Sequence, residues 1–182
     1  MSQPYVYCPH CGAPLSTTEI DGRERPRCTY CGFIHFRDPK VAVAALIVQD
    51  DRVALVRRAV PPRKGFWGLP AGYMDADEAP EDALRRELLE ETGLHVGELT
   101  LSRTAPLAGW EETRGILLIY RCEPMAGELR PGDDASEARW FSRADIPWPE
   151  IAFDTTAEQI RAWLLSAQAG PEDRPREPGI AG

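Results

Sequence analysis

The chain has no apolar run near the roughly 20 residues needed to span a bilayer. Its opening, MSQPYVYCPHCG, lacks the basic-then-apolar order of a secretory leader, so a soluble cytoplasmic protein is expected. Positive charge is short as well: 21 Lys and Arg against 29 Asp and Glu give a net charge of −8. Binding to a polyanion draws on clustered basic side chains that release counterions, so long nucleic acid is not an expected partner. A small phosphorylated ligand stays open, because bound divalent cations supply the charge that the side chains lack. No internal repeat is visible. What is present is a 43% hydrophobic share in 182 residues, enough for one packed domain of ordinary size with a small appendage.

Four of the five cysteines fall in the first 31 residues, as YCPHCG and RCTYCG. Two residues between thiolates let both sulfurs reach one ion from a tight turn, and Gly12 and Gly32 permit the left-handed backbone that turn needs. Sixteen residues between the pairs suffice for a short hairpin. The spacing therefore predicts a structural Zn²⁺ site of Cys8, Cys11, Cys28 and Cys31 in a zinc ribbon over residues 1–36. His10 and His35 are read as bystanders, since four cysteines complete a tetrahedral site. A segment this small needs the ion to fold, and is read as a structural lid or dimerisation element.

Residues 37–168 read as the main domain and 169–182, rich in Pro and Gly, as a disordered tail. Residues 41–48 are apolar on both faces and predict a central strand, joined through a polar turn at 49–52 to a second strand. Further strands are expected at 116–122 and 137–142. TTAEQIRAWLLSAQA predicts a helix with Thr155 and Glu158 at capping-box spacing and an apolar stripe of Ile160, Trp163, Leu164 and Ala167.

Glutamates crowd the stretch LRRELLEETGL. Pro80 suits a helix start and Gly93 its C-terminal cap, so Glu87, Glu90 and Glu91 fall at i, i+3 and i+4 on one arc. Leu89 lies on the far side, where it is expected to face a core. Like charges at that spacing destabilise a helix, and its C-terminal turn disfavours anions. Mg²⁺ or Mn²⁺ would reverse that balance. Spacing alone leaves a metal site and a solvated acidic face both open.

The wider context narrows this. From Gly72 run five residues, Glu78, seven residues, Arg86-Glu87, an apolar residue, a spacer, Glu90-Glu91, a spacer, Gly93 and an apolar residue. In these nine positions the chain resembles the Nudix hydrolases, a likeness that extends over about residues 41–166. With the ribbon in front, FWGLPAGYM and IAFDTT, it is more similar to the zinc-ribbon pyrophosphatases that act on ADP-ribose or FAD.

The resemblance implies an α/β fold, a Nudix α/β/α sandwich with a mixed central sheet. It implies a Mg²⁺-dependent hydrolase that cleaves a diphosphate linkage and releases AMP. Glu87, Glu90 and Glu91 match the positions that bind Mg²⁺ (or Mn²⁺), and Glu90 or Glu91 helps deprotonate the attacking water. Gly72 allows close backbone approach and lends a carbonyl to the metal. Glu78 and Arg86 either brace the box and orient Glu87 or form a purely structural ion pair. Glu137 resembles an outside carboxylate used in related enzymes, with Glu111 and Glu112 as competitors. Arg57, Arg58, Arg63 and Lys64 offer phosphate contacts; Arg57, Arg63 and Trp110 are the expected substrate contacts, and Trp67 is expected in the core. The stretch SQPWPFP of NADH-type relatives has no counterpart in LSRTAPLAGWEETRG, which favours ADP-ribose or FAD over NADH. Rival readings are a house-cleaning nucleoside triphosphate pyrophosphatase, an NADH pyrophosphatase, and a non-enzymatic regulator with a Nudix-like sensor. Relatives are commonly homodimers, so the resemblance implies a homodimer.

Overall fold

A computed structural model of the chain describes residues 5–107 and 115–166. The two N-terminal strands, β1 (Leu15–Ile20) and β2 (Arg23–Cys28), form the hairpin expected between the cysteine pairs. Gly12 (φ 73°) and Gly32 (φ 78°) both take the left-handed backbone, and each N–H returns to the carbonyl of the first cysteine in its pair.

The main sheet is built around β3 (Lys40–Gln49). Its alternate residues enter two separate cores: Val43, Ala45 and Ile47 on one face, Ala44, Leu46 and Val48 on the other. Burial on both faces explains why the strand shows no polar alternation in sequence. It turns back into β4 (Arg52–Arg58) through Asp50 and Asp51, both at positive φ, which matches the twist of a two-residue hairpin. The order across the sheet is β11 (Ala135–Ser142), β4, β3, β9 (Gly115–Cys122) and β8 (Thr100–Pro106). The β3–β9 pair is parallel and the β3–β4, β4–β11 and β8–β9 pairs antiparallel, so the sheet is mixed. Short strands β5 (Trp67–Gly68) and β6 (Ala71–Tyr73) join β4 and β3, while β7 (Leu94–Val96) pairs with β10 (Pro124–Gly127).

One helix covers each face. Helix α1 (Pro80–Thr92) sets Ala83, Leu84 and Leu88 against Val43, Ala45 and Ile47. Helix α2 (Asp154–Ser166) sets Ile160 and Trp163 against Leu46, Leu55 and Trp67. Trp67 is thus a core residue, 4% exposed. No helix among the described residues is long and apolar enough to cross a membrane.

Two local expectations are overturned. Leu89 is 43% exposed; the buried side of α1 carries Leu84, Leu88 and Thr92 and lies beside Glu91 rather than opposite the glutamates. The helix is rolled so that part of its acidic arc points inward. Thr155 is the second residue of α2 and not its cap, and Glu158 pairs with Arg103 (2.6 Å) across to β8. Ala167 and the tail at 169–182 lie outside the described residues.

Candidate active site

Strand β6 hydrogen-bonds along β3, with Gly72 opposite Val43, and this fixes the start of the glutamate segment against the centre of the sheet. Residues 74–79 then lead into α1. Pro80 occupies the first turn, where its missing N–H has no helical acceptor, and Gly93 (φ 70°) closes the helix through its N–H to Leu89 O (3.0 Å). The helix is held at an angle that returns Glu87 and Glu91 to β6.

Gly72 is the contact point. A Cβ there would collide with the Glu87 carboxylate, so only glycine lets that carboxylate lie against the strand. Glu87 Oε1 also accepts from Arg86 Nη1 at 2.8 Å, and its side chain is only 15% exposed. Arg86 is the hub: Nε and Nη2 fork onto Glu78 Oε1 (2.6 Å) and Oε2 (2.8 Å), and Nη2 reaches Tyr73 O (3.2 Å). Planar two-point pairing of this kind fixes direction as well as charge. The Arg86 guanidinium, aided by the Asp75 N–H, holds the Glu78 carboxyl well down, at about 2.

Glu91 is in a different environment. Its Oε2 accepts from Ala71 N–H at 2.9 Å. Burial is the main cause that pushes its carboxyl up to about 7; the Ala71 N–H opposes this, Glu87 and Asp134 add to it, and Arg58 opposes it. Glu90 faces outward, 57% exposed, with Arg86 Nη1 at 3.3 Å.

Glu87, Glu91, Gly72 and Arg86 line one side of a cavity of about 650 Å³. The cavity is also lined by Ala42, Ala44, Leu117 and Ile119 of β3 and β9, and by Phe153, Thr155 and Thr156 at the start of α2. The volume lies within the range of about 300–1,000 Å³ usual for small-ligand sites. Carboxylates and backbone oxygens are the donors that hard divalent cations take, so the residues present fit Mg²⁺ or Mn²⁺.

The remaining sequence candidates are placed as follows. Arg57 does not line the cavity: Nε donates to Gly65 O (2.7 Å), Nη1 to Glu137 (2.8 Å) and Nη2 to Glu150 (3.0 Å). Glu137 is held by Arg57 and Arg139, which lower its pKa, Arg57 foremost. Arg63 lies over Phe66, 5.6 Å from the ring centre. Trp110, Glu111 and Glu112 fall outside the described residues. Two residues not singled out in sequence also line the cavity: Asp134, whose charge helps raise the Glu91 pKa, and Thr156. Asp134 carries no local motif and immediately precedes β11, whose register shifts between Ala135 and Glu137; Thr156 closes the IAFDTT stretch and lies in the first turn of α2. Arg58 also lines the cavity, anchored through Nε to Pro62 O at 2.6 Å.

In the ribbon, Cys8 Sγ lies 3.6 Å from Cys31 Sγ and Cys11 Sγ 3.6 Å from Cys28 Sγ, all four sulfurs within 4.8 Å of one another. Tetrahedral Zn–S bonds of about 2.3 Å require sulfurs about 3.8 Å apart, so the four thiols fit the ion. Backbone donation from Cys31 N–H is the main cause that draws the Cys28 thiol down to about 6, whereas Cys11 is pushed up to about 12 and Cys31 is also raised, so without an ion the four sulfurs share their protons unequally.

Residues 38–164 match the family model described as NUDIX domain, and residues 6–37 the zinc-ribbon model described as Nudix N-terminal. An ADP-ribose pyrophosphatase of Methanocaldococcus jannaschii is 37% identical over 120 residues, 64% of this chain and 68% of that protein. An NAD-capped RNA hydrolase NudC of Pseudomonas aeruginosa is 28% identical over 167 residues, 90% of this chain and 57% of that one. The chain thus spans little more than half the length of that NudC relative. Among solved structures, a NUDIX hydrolase from Nitrosomonas europaea superposes with a TM-score of 0.80 at 28% identity, covering 91% of this chain and 94% of its own. The mixed sheet, its two flanking helices and the ribbon in front are therefore those of a Nudix hydrolase, and the chain belongs to the NUDIX family.

Proposed function

We propose that the chain is a divalent-cation-dependent pyrophosphatase that cleaves the diphosphate of ADP-ribose or FAD and releases AMP. The observation that carries this reading is the placement of the Glu87 carboxylate against Gly72 and of Glu91 on the neighbouring Ala71 N–H, both lining a ligand-sized cavity. Glu87, Glu91 and the Gly72 carbonyl would hold Mg²⁺ or Mn²⁺, with Glu90 available from the solvent side. When bound, the cation neutralises the diphosphate oxygens and acidifies the attacking water.

The chain's own residues divide the remaining work. Glu78 takes two of the Arg86 donors, which leaves Nη1 aimed at Glu87 and fixes that carboxylate's direction. Glu91, with a proton affinity close to neutrality before cation loading, is suited to accept a proton from water. Arg58, on the cavity wall, is the arginine placed to fork onto a phosphate, whereas Arg57 is committed to two carboxylates. The ADP-ribose pyrophosphatase from M. jannaschii supports the substrate class. The NudC likeness over 90% of this chain favours, as a second reading, an NADH-type dinucleotide.

The test is a side-by-side assay of ADP-ribose, FAD, NADH and nucleoside triphosphates with Mg²⁺. AMP release from ADP-ribose or FAD at the highest kcat/KM is expected. A clear preference for triphosphates would overturn the reading.

A further inference from the structure

The last carbonyls of an α-helix have no partner within the helix; in α1 these belong to residues 89–92. Gly93 N–H takes Leu89 O and closes the helix. Others are met from the segment between β10 and β11, remote in sequence. Gly132 N–H donates to Glu91 O (3.0 Å) and Arg130 N–H to Thr92 O (2.9 Å). The carbonyls so held belong to the turn that carries Glu90 and Glu91.

The approach at Gly132 is closer than any side chain allows. A Cβ there would lie 1.8 Å from Glu90 O, 2.8 Å from Glu90 C and 2.9 Å from Glu91 Cα. All three are backbone atoms, so no change of rotamer relieves the clash. Either the segment or the last turn of α1 would have to move. At Gly72, by contrast, an added Cβ meets the Glu87 carboxylate.

The segment is itself fixed on both sides of Gly132. Leu129 packs against the core that holds Leu84 and Leu88. Ala135 N–H closes a turn onto Gly132 O (3.1 Å), and Asp134 O accepts from Ala59 N–H (2.8 Å). Asp134 and Arg58, the neighbour of Ala59, line the cavity together with Glu91. One hydrogen-bonded path thus runs from the glutamate turn through Gly132 and Asp134 to the strand end that carries Arg58.

We infer that Gly132 is a positioning residue of the cation site. Lying directly on the Glu90–Glu91 backbone, it sets where those carboxylates stand relative to Gly72, Asp134 and Arg58. Gly93 already closes the helix, so the contact at Gly132 adds direction to the turn rather than an end to it. The inference rests on the reading that Glu87, Glu90 and Glu91 hold the cation.

The zinc-loaded full chain and its Gly132→Ala variant, compared at equal folded fraction, test it. With Mg²⁺, kcat for AMP release from ADP-ribose or FAD should fall about 10- to 100-fold, the cost of a misplacement of about 1 Å. KM should stay within about threefold, and Mn²⁺ affinity by calorimetry should fall about tenfold. A lower melting temperature with parental kcat and Mn²⁺ affinity would make Gly132 a helix cap alone and overturn the inference. A raised KM at parental kcat would overturn it as well. Amide exchange of the parent needs no variant to fold. Coupling is reciprocal, so saturating Mg²⁺ should slow exchange at Gly132 N–H about tenfold and leave Gly32 N–H in the ribbon unchanged. No slowing at Gly132, or equal slowing at Gly32, would overturn the inference.

The two readings fail separately. Slowed exchange at Gly132 without AMP release from ADP-ribose or FAD would sink the proposed reaction alone. AMP release indifferent to Gly132→Ala would sink the positioning role alone.

Discussion

The ribbon and the glutamate helix both gather ligand atoms, yet they gather them in opposite ways. The four sulfurs come from two tight turns and converge within 4.8 Å, with Cys8 and Cys28 buried. The carboxylates come from one helix and diverge: Glu87 onto Gly72, Glu91 onto the Ala71 N–H, Glu90 towards solvent. A closed set of four soft donors saturates its ion and leaves it only a structural task. An incomplete set of hard donors beside a cavity leaves coordination positions for a ligand's oxygens and for water. The difference between holding a fold and doing chemistry is thus written in the donor geometry.

That contrast yields a graded set of outcomes. Glu91→Gln is expected to reduce AMP release by about 10²- to 10⁴-fold, the range for losing a group that handles a proton. Its zinc content, measured by metal analysis, should stay at one ion per chain. Cys28→Ser should show the reverse: zinc is lost and the ribbon unfolds, while heat denaturation of the main sheet is retained. Loss of AMP release on the same scale as for Glu91→Gln would show that the ribbon takes part in the chemistry.

Gly72→Ala should displace the Glu87 carboxylate and weaken Mn²⁺ binding, read by calorimetry, about 10- to 100-fold, while the fold survives. Glu78→Gln should act more gently, through the freedom it returns to Arg86, and it adds a pH signature. The folded carboxyl of Glu78 titrates at about 2, below its ordinary value of 4.5, so the stability it contributes is present above 4.5. That contribution fades as pH falls through the window from 4.5 to about 2. Urea titrations across the window should show a shallower acid loss in Glu78→Gln than in the parent; equal slopes would remove the proposed brace. The smallest effect is expected from Glu137→Gln, because that carboxylate serves Arg57 and Arg139 away from the cavity. A loss of kcat as large as that of Glu91→Gln would restore Glu137 to the chemistry.

Legibility in the sequence followed the locality of the signal. Both cysteine pairs, the β3–β4 hairpin and the caps of α1 depend on residues a few positions apart, and each is where spacing put it. Short strands β6, β7 and β10 have three or four residues each and take their identity from the partners they meet. Edge strand β8 is exposed at most positions and shows no alternation. Leu89 was misplaced because a face opposite the glutamates looked like the buried one. At about 100° per residue, the core arc through Leu84, Leu88 and Thr92 instead borders Glu91. That roll is set by β6 and Gly72, which the helix's own pattern does not contain. Asp134 reaches the cavity by tertiary packing alone, so no spacing announces it, whereas Arg58 is one of the four basic residues offered as phosphate contacts and Thr156 closes the IAFDTT stretch.

The central claim is that the inward glutamates hold the cation and carry the hydrolysis. It is tested most directly by AMP release from ADP-ribose with Mg²⁺, comparing the parent with Glu91→Gln at equal zinc content and equal folded fraction. The account predicts turnover in the parent and a loss of at least about 10²-fold in the variant. Equal turnover in the two proteins would contradict it.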